Sequence, residues 1–258
     1  MTAQSLKLEG RVAIVTGAAR GIGRSIVKKL ASEGAQVIAN DLDAAPLAEE
    51  VDKLAQQGLA VHALPGDITE QATAEALVST ALDRYGNLHI VVNNAGIGIR
   101  HPLESTSFED WQRAWQKTID TNLLGPANVC FCAARHMIAN GGGRIVNITS
   151  RGAFRGEPIQ PAYGASKAAL NSLTQSLALA LAPHKIFVGA VAPGFVNTEL
   201  TADRLNSPEG EEIRAQSPFN RVAEPEEVAH AVLFLASTGA EFSTGTIIDV
   251  NGASYLRS

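Results

Sequence analysis

The sequence predicts an α/β fold, a doubly wound parallel sheet of about seven strands with helices on both faces. Short apolar, β-branched runs alternate with segments of helical periodicity along the whole chain, as they do when helices connect parallel strands. A glycine-rich turn follows the first apolar run directly. The 258 residues, 45% of them hydrophobic, supply one large core. No repeat or linker-like stretch marks a boundary, so we expect a single domain over residues 1–258.

The first strand and the turn after it indicate a dinucleotide site. Val12–Val15 is apolar, and three glycines follow it before a helical pattern that reaches Ser32. Gly17 would allow the tight turn, Gly21 would let the backbone approach a pyrophosphate, and Gly23 would let the helix pack closely on the strand. The helix N-terminus would offer N–H groups and a partial positive charge to the phosphates. The spacing differs from G-x-G-x-x-G, but the strand–turn–helix context predicts a Rossmann fold.

The second strand, Val37–Ala39, leads to Asp41, about twenty residues past the glycines, where a ribose-binding carboxylate belongs. Asp41 could accept hydrogen bonds from both adenosine ribose hydroxyls and repel a 2′-phosphate. Asp41 and Asp43 could instead cap the next helix, and Arg20 could hold a 2′-phosphate. In a closed pocket, the repulsion between Asp41 and a 2′-phosphate outweighs the attraction that a mobile Arg20 side chain offers the same phosphate. We therefore predict NAD as the cofactor, with NADP as the alternative.

The remaining elements continue the alternation. Further strands are expected at Ala60–Leu64, Ile90–Val92, Ile145–Ile148, Phe187–Val191 and Thr246–Val250. Helical periodicity covers Leu47–Gln57, Glu70–Arg84, a long segment around Trp111–Met137, Ala165–Leu181 and Pro225–Ala236. One polar stretch that contains two prolines and a glycine, residues 198–220, interrupts this order. Long loops in compact domains usually serve a function, so we expect a lid over a substrate site.

Tyr163 and Lys167 form the strongest candidate for chemistry. Four residues apart on a helix, the phenol and the ammonium share a face. A nearby cation favours phenolate, so we expect Lys167 to lower the pKa of Tyr163 from its reference near 10 toward the range useful for acid–base catalysis. Ser150 lies a short loop upstream. A Tyr-x-x-x-Lys pair alone is weak evidence, because such pairs occur by chance on many exposed helices.

The Tyr163–Lys167 pair is one of six sequence motifs that follow one another along the chain. With these motifs in this order, the chain resembles the short-chain dehydrogenase/reductase family. The resemblance covers the chain from about Leu8 to Gly252. The motifs are Thr16–Gly23, Asn93–Gly96, Asp120–Gly125, Ile145–Ser150, Tyr163 with Lys167, and Pro193–Thr198.

The resemblance implies hydride transfer between a nicotinamide cofactor and a secondary alcohol or ketone. By position it implies that Tyr163 is the acid–base residue, that Lys167 serves both the phenol and the nicotinamide ribose, and that Ser150 binds the reacting oxygen. Asn122 would position a water that links Lys167 to solvent. The cofactor-binding residues implied by the same match are Gly17, Arg20, Gly21, Ile22, Gly23, Asp41, Asp67, Ile68, Asn94, Ala95, Gly96, Tyr163, Lys167, Pro193, Gly194, Val196 and Thr198.

Two segments depart from the family pattern. Trp111–Trp115 looks like a duplicated helical turn before Asn122; because the insertion is near one turn, we expect Asn122 to keep its face. Asn251–Ala253 replaces the more usual Asp-Gly-Gly and leaves the local turn in doubt.

Composition excludes several other classes. The net charge of −5, without a run of Lys or Arg, argues against nucleic-acid binding. No apolar segment is long enough for a signal peptide or a membrane span. Cys130 and Cys132 would face different directions on a helix, and no histidines have metal-ligand spacing, so we expect no disulfide, no metal and a cytoplasmic protein. Arg100 and His101 border the expected site, and a substrate role for either stays open.

Competing functions remain within and outside this family. A 3-oxoacyl thioester reductase using NADPH is the first alternative, and a non-catalytic nicotinamide-sensing protein on the same fold is the second. Sugar-nucleotide epimerases carry a larger C-terminal domain, and enoyl reductases space their tyrosine and lysine farther apart. The helices around Trp111–Met137 and Ala165–Leu181 carry more apolar positions than one core-facing stripe needs, among them Leu173, Leu177, Leu179 and Leu181. In the resembled family such helices pair between subunits, so the resemblance implies a homotetramer with two-fold axes.

Overall fold

The expected parallel sheet is present in the computed structural model, which describes residues 8–257. All seven strands run parallel, in the order β3-β2-β1-β4-β5-β6-β7. The predicted strands are confirmed to within two residues at either end. Their bounds are β1 Val12–Thr16, β2 Gln36–Asn40, β3 Val61–Ala63, β4 Ile90–Asn93, β5 Gly143–Ile148, β6 Ile186–Pro193 and β7 Ile247–Val250.

Helices cover both faces of the sheet, as predicted for a Rossmann fold. Successive side chains of a strand point to opposite faces: Ala13 and Val15 pack into one core, and Val12 and Ile14 into the other. Helices α1, α2 and α9 pack on the first face, and α3, α5 and α6 on the second. The helix bounds are α1 Gly21–Ser32, α2 Ala44–Gln56, α3 Gln71–Tyr85, α4 Phe108–Ile119, α5 Gly125–Ala139, α6 Pro161–Leu181, α7 Ala202–Leu205, α8 Glu209–Ala215 and α9 Pro225–Ala236.

The strand order reverses between β1 and β4. From β1 the chain builds outward through β2 to β3, and then it returns to the other side of β1 to build β4 through β7. In sheets of this kind ligands bind in the crevice at the carboxyl ends of the strands, where the order reverses. That edge carries the glycine turn after β1, Asn94 after β4 and Ser150 after β5.

The long helix expected around Trp111–Met137 is not one regular helix. A π-helical turn, Asp120–Leu124, joins α4 to α5 without a break in helical backbone, and Asn122 lies in the middle of it. An extra residue in an α-helix is commonly absorbed by such a wide turn, often at a functional position. Trp111 and Trp115 contact each other with tilted rings, their centroids 6.0 Å apart. The helical backbone is therefore continuous from Trp111 to Asn122, and Asn122 is fully buried.

The four leucines of α6 named from the sequence lie in three different environments. Leu181 belongs to the core and Leu177 packs against it, so these two leucines serve the core-facing side of the helix. Leu173 is partly buried. Leu179 is 82% exposed, and α5 adds Phe131, which is 63% exposed. The apolar surface available on these helices is therefore smaller than the sequence suggested and is centred on different residues.

The turn after β7 is kept despite the missing glycine. Gly252 has φ +57°, and Ala253, where the family pattern has glycine, also adopts the left-handed region with φ +57°. For a residue with a Cβ atom this conformation is unfavourable by about 1–2 kcal/mol.

Replacing Ala253 with glycine is expected to stabilise the protein. The relief of backbone strain exceeds the added freedom of the unfolded chain, so the net gain should be about 0.5–1 kcal/mol, or about 2 °C in Tm. Thermal unfolding followed by circular dichroism measures it. Ala48→Gly on the exposed side of α2 is the control and should destabilise by about 1 kcal/mol; a lower Tm for Ala253→Gly would contradict the strain.

The structure also bears on the cysteines, on possible metal ligands and on possible membrane-spanning helices. Cys130 and Cys132 are both free thiols, and burial raises the pKa of Cys130 to about 12. Within residues 8–257, no His, Cys, Asp and Glu side chains cluster as metal ligands would. Over the same residues, no helix combines the length and the apolarity that crossing a membrane requires.

Candidate active site

The glycine turn after β1 is packed so tightly that side chains would not fit. Gly17 has φ +65°, and a Cβ atom there would lie 2.8 Å from the Cα of Ala95. A Cβ atom on Gly23 would lie 1.9 Å from the carbonyl oxygen of Gly17. Gly21, with φ +51°, begins α1, whose N-cap Arg20 makes no side-chain capping bond. The roles expected for Gly17 and Gly23, a tight turn and close helix packing, are those that the geometry requires.

Asn94 fastens this turn to the end of β4. Its side-chain amide donates to the carbonyl oxygens of Thr16 and Gly17 at 3.0 and 2.9 Å. The Thr16 hydroxyl accepts from the backbone N–H groups of Asn94 and Ala95, both at 3.1 Å. The sequence motif placed Asn94 and Ala95 near the cofactor, whereas their visible contacts hold the glycine turn in shape. Thr16 also holds the turn in shape through its two hydrogen bonds, and the sequence analysis did not identify it as a site residue.

Asp41 lies at the carboxyl end of β2, beside the glycine turn. Its carboxylate accepts hydrogen bonds from the backbone N–H groups of Ala19, at 2.9 Å, and Asp43, at 3.2 Å. Arg20 forms an ion pair with Asp43 at the protein surface. The basic side chain that could hold a 2′-phosphate is therefore already paired with a carboxylate, and Asp41 is fixed in place by the backbone.

A second carboxylate, that of Glu199, reaches the start of α1. It forms an ion pair with Arg24 at 3.0 Å, and its Oε2 atom lies 3.7 Å from the position of a Cβ on Gly21. Nearby backbone N–H groups and the Arg24 guanidinium hold the pKa of Glu199 below its ordinary value. Thr198 packs beside it, with its Cγ2 atom 3.1 Å from the position of a Cβ on Gly21. The sequence pattern gave no sign of this contact between the two loops.

Ser150 and Tyr163 lie together at the carboxyl edge of β5. Ser150 precedes a short 3₁₀ turn and accepts from the backbone N–H of Gly152 at 3.0 Å, while Tyr163 lies in the first turn of α6. Burial raises the pKa of Tyr163, a hydrogen bond with Ser150 opposes the rise, and the negative charge of Glu157 adds to it. The expectation that Lys167 brings this pKa below its ordinary value is wrong for this structure, because burial dominates.

Lys167 lies one turn further along α6, as the spacing predicted. It is 3% exposed, and its ammonium donates to the carbonyl oxygen of Ile148 at 2.9 Å. Its Nζ atom lies 5.9 Å from the centroid of the Tyr163 ring. Burial lowers the pKa of Lys167 to about 8. The ammonium is therefore anchored to β5 and directed toward the space next to Tyr163.

Asn122 uses its whole side chain to hold the loop after β4. The amide accepts from the backbone N–H of Ile97 at 2.8 Å and donates to the carbonyl of the same residue at 2.9 Å. It also donates to the Ser166 hydroxyl on α6 at 3.0 Å. A Cβ atom on Gly96 would lie 3.1 Å from the Lys167 ammonium and 3.3 Å from the Asn122 amide oxygen, so Gly96 admits both side chains.

The remaining predicted cofactor residues lie around the same crevice and differ in how exposed they are. Asp67 is exposed, and its carboxylate accepts from the backbone N–H of Thr69 at 2.9 Å. Ile68 is 4% exposed, and its side chain packs into the core against α5. Ile22 is partly buried against the other core. Pro193 ends β6, and the loop after it carries the last three, Gly194, Val196 and Thr198.

His101 is a structural residue in this arrangement. Its side chain is 1% exposed; one ring nitrogen meets the carbonyl of Ile99 at 2.8 Å, and the other accepts from the backbone N–H of Ala162 at 3.4 Å. The second bond ties the loop after β4 to the start of α6, next to Tyr163. Because both nitrogens have backbone partners, no ring atom is left to bind a substrate.

Comparison with known proteins agrees with this geometry. The sequence model of a family described as Enoyl-(Acyl carrier protein) reductase matches residues 17–253. The 3-oxoacyl-[acyl-carrier-protein] reductase of Thermotoga maritima is 36% identical over 254 residues, covering 96% of this chain and 98% of the relative. The enzyme of the same name from Aquifex aeolicus is 38% identical over 253 residues, covering 97% and 99%.

A solved structure matches in three dimensions as well. The gluconate 5-dehydrogenase of Burkholderia cenocepacia, in complex with NADP and tartrate, superposes with a TM-score of 0.89 at 32% identity, covering 97% of each chain. Identity above 30% over almost the whole length, a matching family model and a seven-stranded parallel sheet all agree. The chain belongs to the short-chain dehydrogenase/reductase family of oxidoreductases, in the branch that contains the 3-oxoacyl-carrier-protein reductases.

Proposed function

We propose that this protein interconverts a secondary alcohol and the corresponding ketone, with NAD as the hydride carrier. The observation that carries the proposal is the grouping of Ser150, Tyr163 and Lys167 at the carboxyl edge of the sheet, next to a glycine turn with no room for side chains. A non-catalytic nicotinamide sensor would not need this grouping. The direct test is a screen of alcohols and ketones with both dinucleotides, followed by nicotinamide absorbance.

The chain's own residues would divide the chemistry between them. Bound nicotinamide supplies the hydride acceptor or donor. Tyr163 takes the proton from the alcohol hydroxyl during oxidation and returns it during reduction. Ser150 donates a hydrogen bond to the reacting oxygen and so stabilises negative charge that develops there. Lys167 would stabilise the phenolate and hold the nicotinamide ribose, and Asn122 would maintain the loop that borders a path for protons to solvent.

The residues at the glycine turn fit a dinucleotide. The first N–H groups of α1 have no side-chain cap from Arg20, which leaves them available to an anionic ligand once Thr198 and Glu199, the side chains beside Gly21, move aside. Asp41 would accept from the adenosine ribose hydroxyls, and its charge disfavours a 2′-phosphate. Because Arg20 is paired with Asp43, the opposing attraction is weakened, which supports NAD over NADP.

Cofactor preference gives a quantitative prediction. The wild type should bind NADH at least tenfold more tightly than NADPH, a difference of about 1.4 kcal/mol, and Asp41→Ala should narrow that ratio by removing the repulsion. Isothermal titration calorimetry with both dinucleotides measures it. Asp52→Ala on the exposed face of α2 is the matched control. Equal or tighter NADPH binding by the wild type would contradict the prediction and make Arg20 the deciding residue.

A 3-oxoacyl thioester reductase using NADPH is the second candidate. The observation in its favour is that relatives with that printed function match nearly the whole chain at 36% and 38% identity. Assays with an acetoacetyl thioester and NADPH separate the candidates, since efficient turnover with that pair would favour the second. Residues 198–220, which hold α7 and α8, follow the loop after β6, and we propose them as the lid over the substrate in either case.

We also propose that the protein is a homotetramer, assembled through the helices of one sheet face. The described chain exposes Phe108 on α4, Leu124 at the end of the π-helical turn, Phe131 and Ile138 on α5, and Leu179 on α6, each at 43% or more. We infer that they belong to one association surface, because large exposed apolar patches mark such sites.

Light scattering at micromolar concentration should give four times the 27.1 kDa mass of one chain. Phe131→Asp should reduce that mass, because it places a charge in the proposed contact. Glu75→Lys, an exposed charge change on α3, should leave the mass unchanged. A monomeric wild type would refute the assembly.

A further inference from the structure

The loop between Ser150 and α6 carries a carboxylate close to the catalytic residues. A Cβ atom on Gly152 would lie 2.6 Å from the Oε1 atom of Glu157 and 3.0 Å from its Cγ atom. A Cβ atom on Gly164 would lie 3.5 Å from the same Cγ atom. The Glu157 side chain therefore lies against both glycines, and the lack of a side chain at Gly152 leaves the space that it fills.

Those two glycines place Glu157 beside the reacting groups. Gly152 donates its N–H to the Ser150 hydroxyl at 3.0 Å, and Gly164 directly follows Tyr163. The carboxylate is close enough for its charge to act on the Tyr163 phenol. It therefore borders the space in which a substrate oxygen would meet Ser150 and Tyr163.

The Glu157 carboxylate has no hydrogen-bond donor among residues 8–257. Arg151 interacts with it electrostatically but forms no ion pair with it. The Arg151 guanidinium is instead bonded to the Ser254 hydroxyl at 2.5 Å and lies 5.3 Å from the Phe195 ring. A carboxylate can accept about four hydrogen bonds, and a partly buried one is left under-satisfied without a donor. A ligand with a hydroxyl group at this position could donate a hydrogen bond to the Glu157 carboxylate.

We propose that Glu157 is a specificity-determining residue that accepts a hydrogen bond from a substrate hydroxyl next to the reacting carbon. This inference rests on the proposed alcohol–ketone function. The substrates it selects are vicinal diols, hydroxyketones and larger polyhydroxy compounds. A carboxylate or phosphate at the same position would be repelled by the negative charge, and a plain alkyl group would leave the carboxylate without a partner.

A purely structural role would have a different signature. If Glu157 only filled the space over Gly152 and Gly164, its charge would be irrelevant, and glutamine, which has the same shape, would serve equally for every substrate. If the carboxylate receives a substrate hydroxyl, Glu157→Gln weakens that bond and affects only substrates that carry the hydroxyl. Pairs of compounds that differ by one hydroxyl therefore separate the two roles.

The experiment compares acetoin with butanone in the reductive direction and vicinal cyclohexanediol with cyclohexanol in the oxidative direction. We expect the wild type to favour the hydroxylated member of each pair at least tenfold in kcat/KM. Glu157→Gln should lower kcat/KM for that member by about tenfold, mainly through KM, as expected for a hydrogen bond to a charged group. Its effect on the other member should stay within about twofold. Glu49→Gln, an exposed change on α2, is the control and should alter neither.

Three outcomes would overturn the assignment. Equal wild-type turnover of both members of each pair would remove the selectivity but leave the oxidoreductase proposal standing. An equal loss for both members in Glu157→Gln would show a structural role. Turnover of no member of any pair with either dinucleotide would contradict the proposed function together with this inference.

Discussion

Replacing Tyr163 with phenylalanine is expected to reduce turnover by about 10²–10⁴-fold while leaving the fold and cofactor affinity intact. Only the hydroxyl is lost, and in the proposed mechanism it is the group that exchanges a proton with the substrate. The surrounding helix is held by other contacts, including the bond from Ala162 to His101. Steady-state kinetics on the best substrate from the screen, together with calorimetric titration of NADH, measures both parts of the expectation.

The matched control is Tyr85→Phe, which removes a phenolic hydroxyl at the end of α3, away from the carboxyl edge. It should keep wild-type turnover. The rate of alcohol oxidation by the wild type should rise with pH, because the deprotonated phenol is the base and burial favours the protonated form. Near-wild-type turnover by Tyr163→Phe would show that another group moves the proton.

The second large effect is expected for Gly23→Ala. The new Cβ atom would lie 1.9 Å from the carbonyl oxygen of Gly17 and 2.6 Å from the Asn94 side-chain nitrogen. Because Gly17 contributes backbone, the clash cannot be relieved by rotating a side chain, and α1 must move away from the turn. We expect the free energy of unfolding to fall by about 3 kcal/mol, which lowers Tm by roughly 6–12 °C, and we expect weaker dinucleotide binding.

A glycine in the sheet provides the control for that substitution. In Gly189→Ala on β6, the new Cβ atom would meet the terminal methyl groups of Leu235 at 3.2 Å, and these can shift. Differential scanning fluorimetry should show a small change for this variant, with NADH binding retained. Equal Tm values for the two variants would show that the turn is not as tightly packed as its geometry indicates.

Elements defined by local chemistry were predictable from the sequence. The apolar runs marked all seven strands, and Pro225 with Glu226 and Glu227 marked α9 to the residue. The π-helical turn at Asp120–Leu124 was not foreseen, because helical periodicity specifies a face but not the width of one turn.

The spatial grouping of Ser150, Tyr163 and Lys167 was predictable from the sequence motifs, but its electrostatic details were not. The sequence motifs predicted that Ser150, Tyr163 and Lys167 lie close together, and the fold places all three at the carboxyl edge of the sheet. The direction of the Tyr163 pKa depends on burial by distant segments, which spacing does not report. The position of Glu157 over two glycines is likewise a contact between residues five and seven positions apart in an irregular loop, and no periodicity encodes it.

The Glu199 carboxylate lies beside the start of α1, where we propose that the diphosphate of a dinucleotide binds, and two anions at one helix end repel each other. Glu199 is the second residue of the segment 198–220, so we expect a bound dinucleotide to displace the start of that segment before an alcohol binds. We therefore expect compulsory-order kinetics, in which the dinucleotide binds first and leaves last.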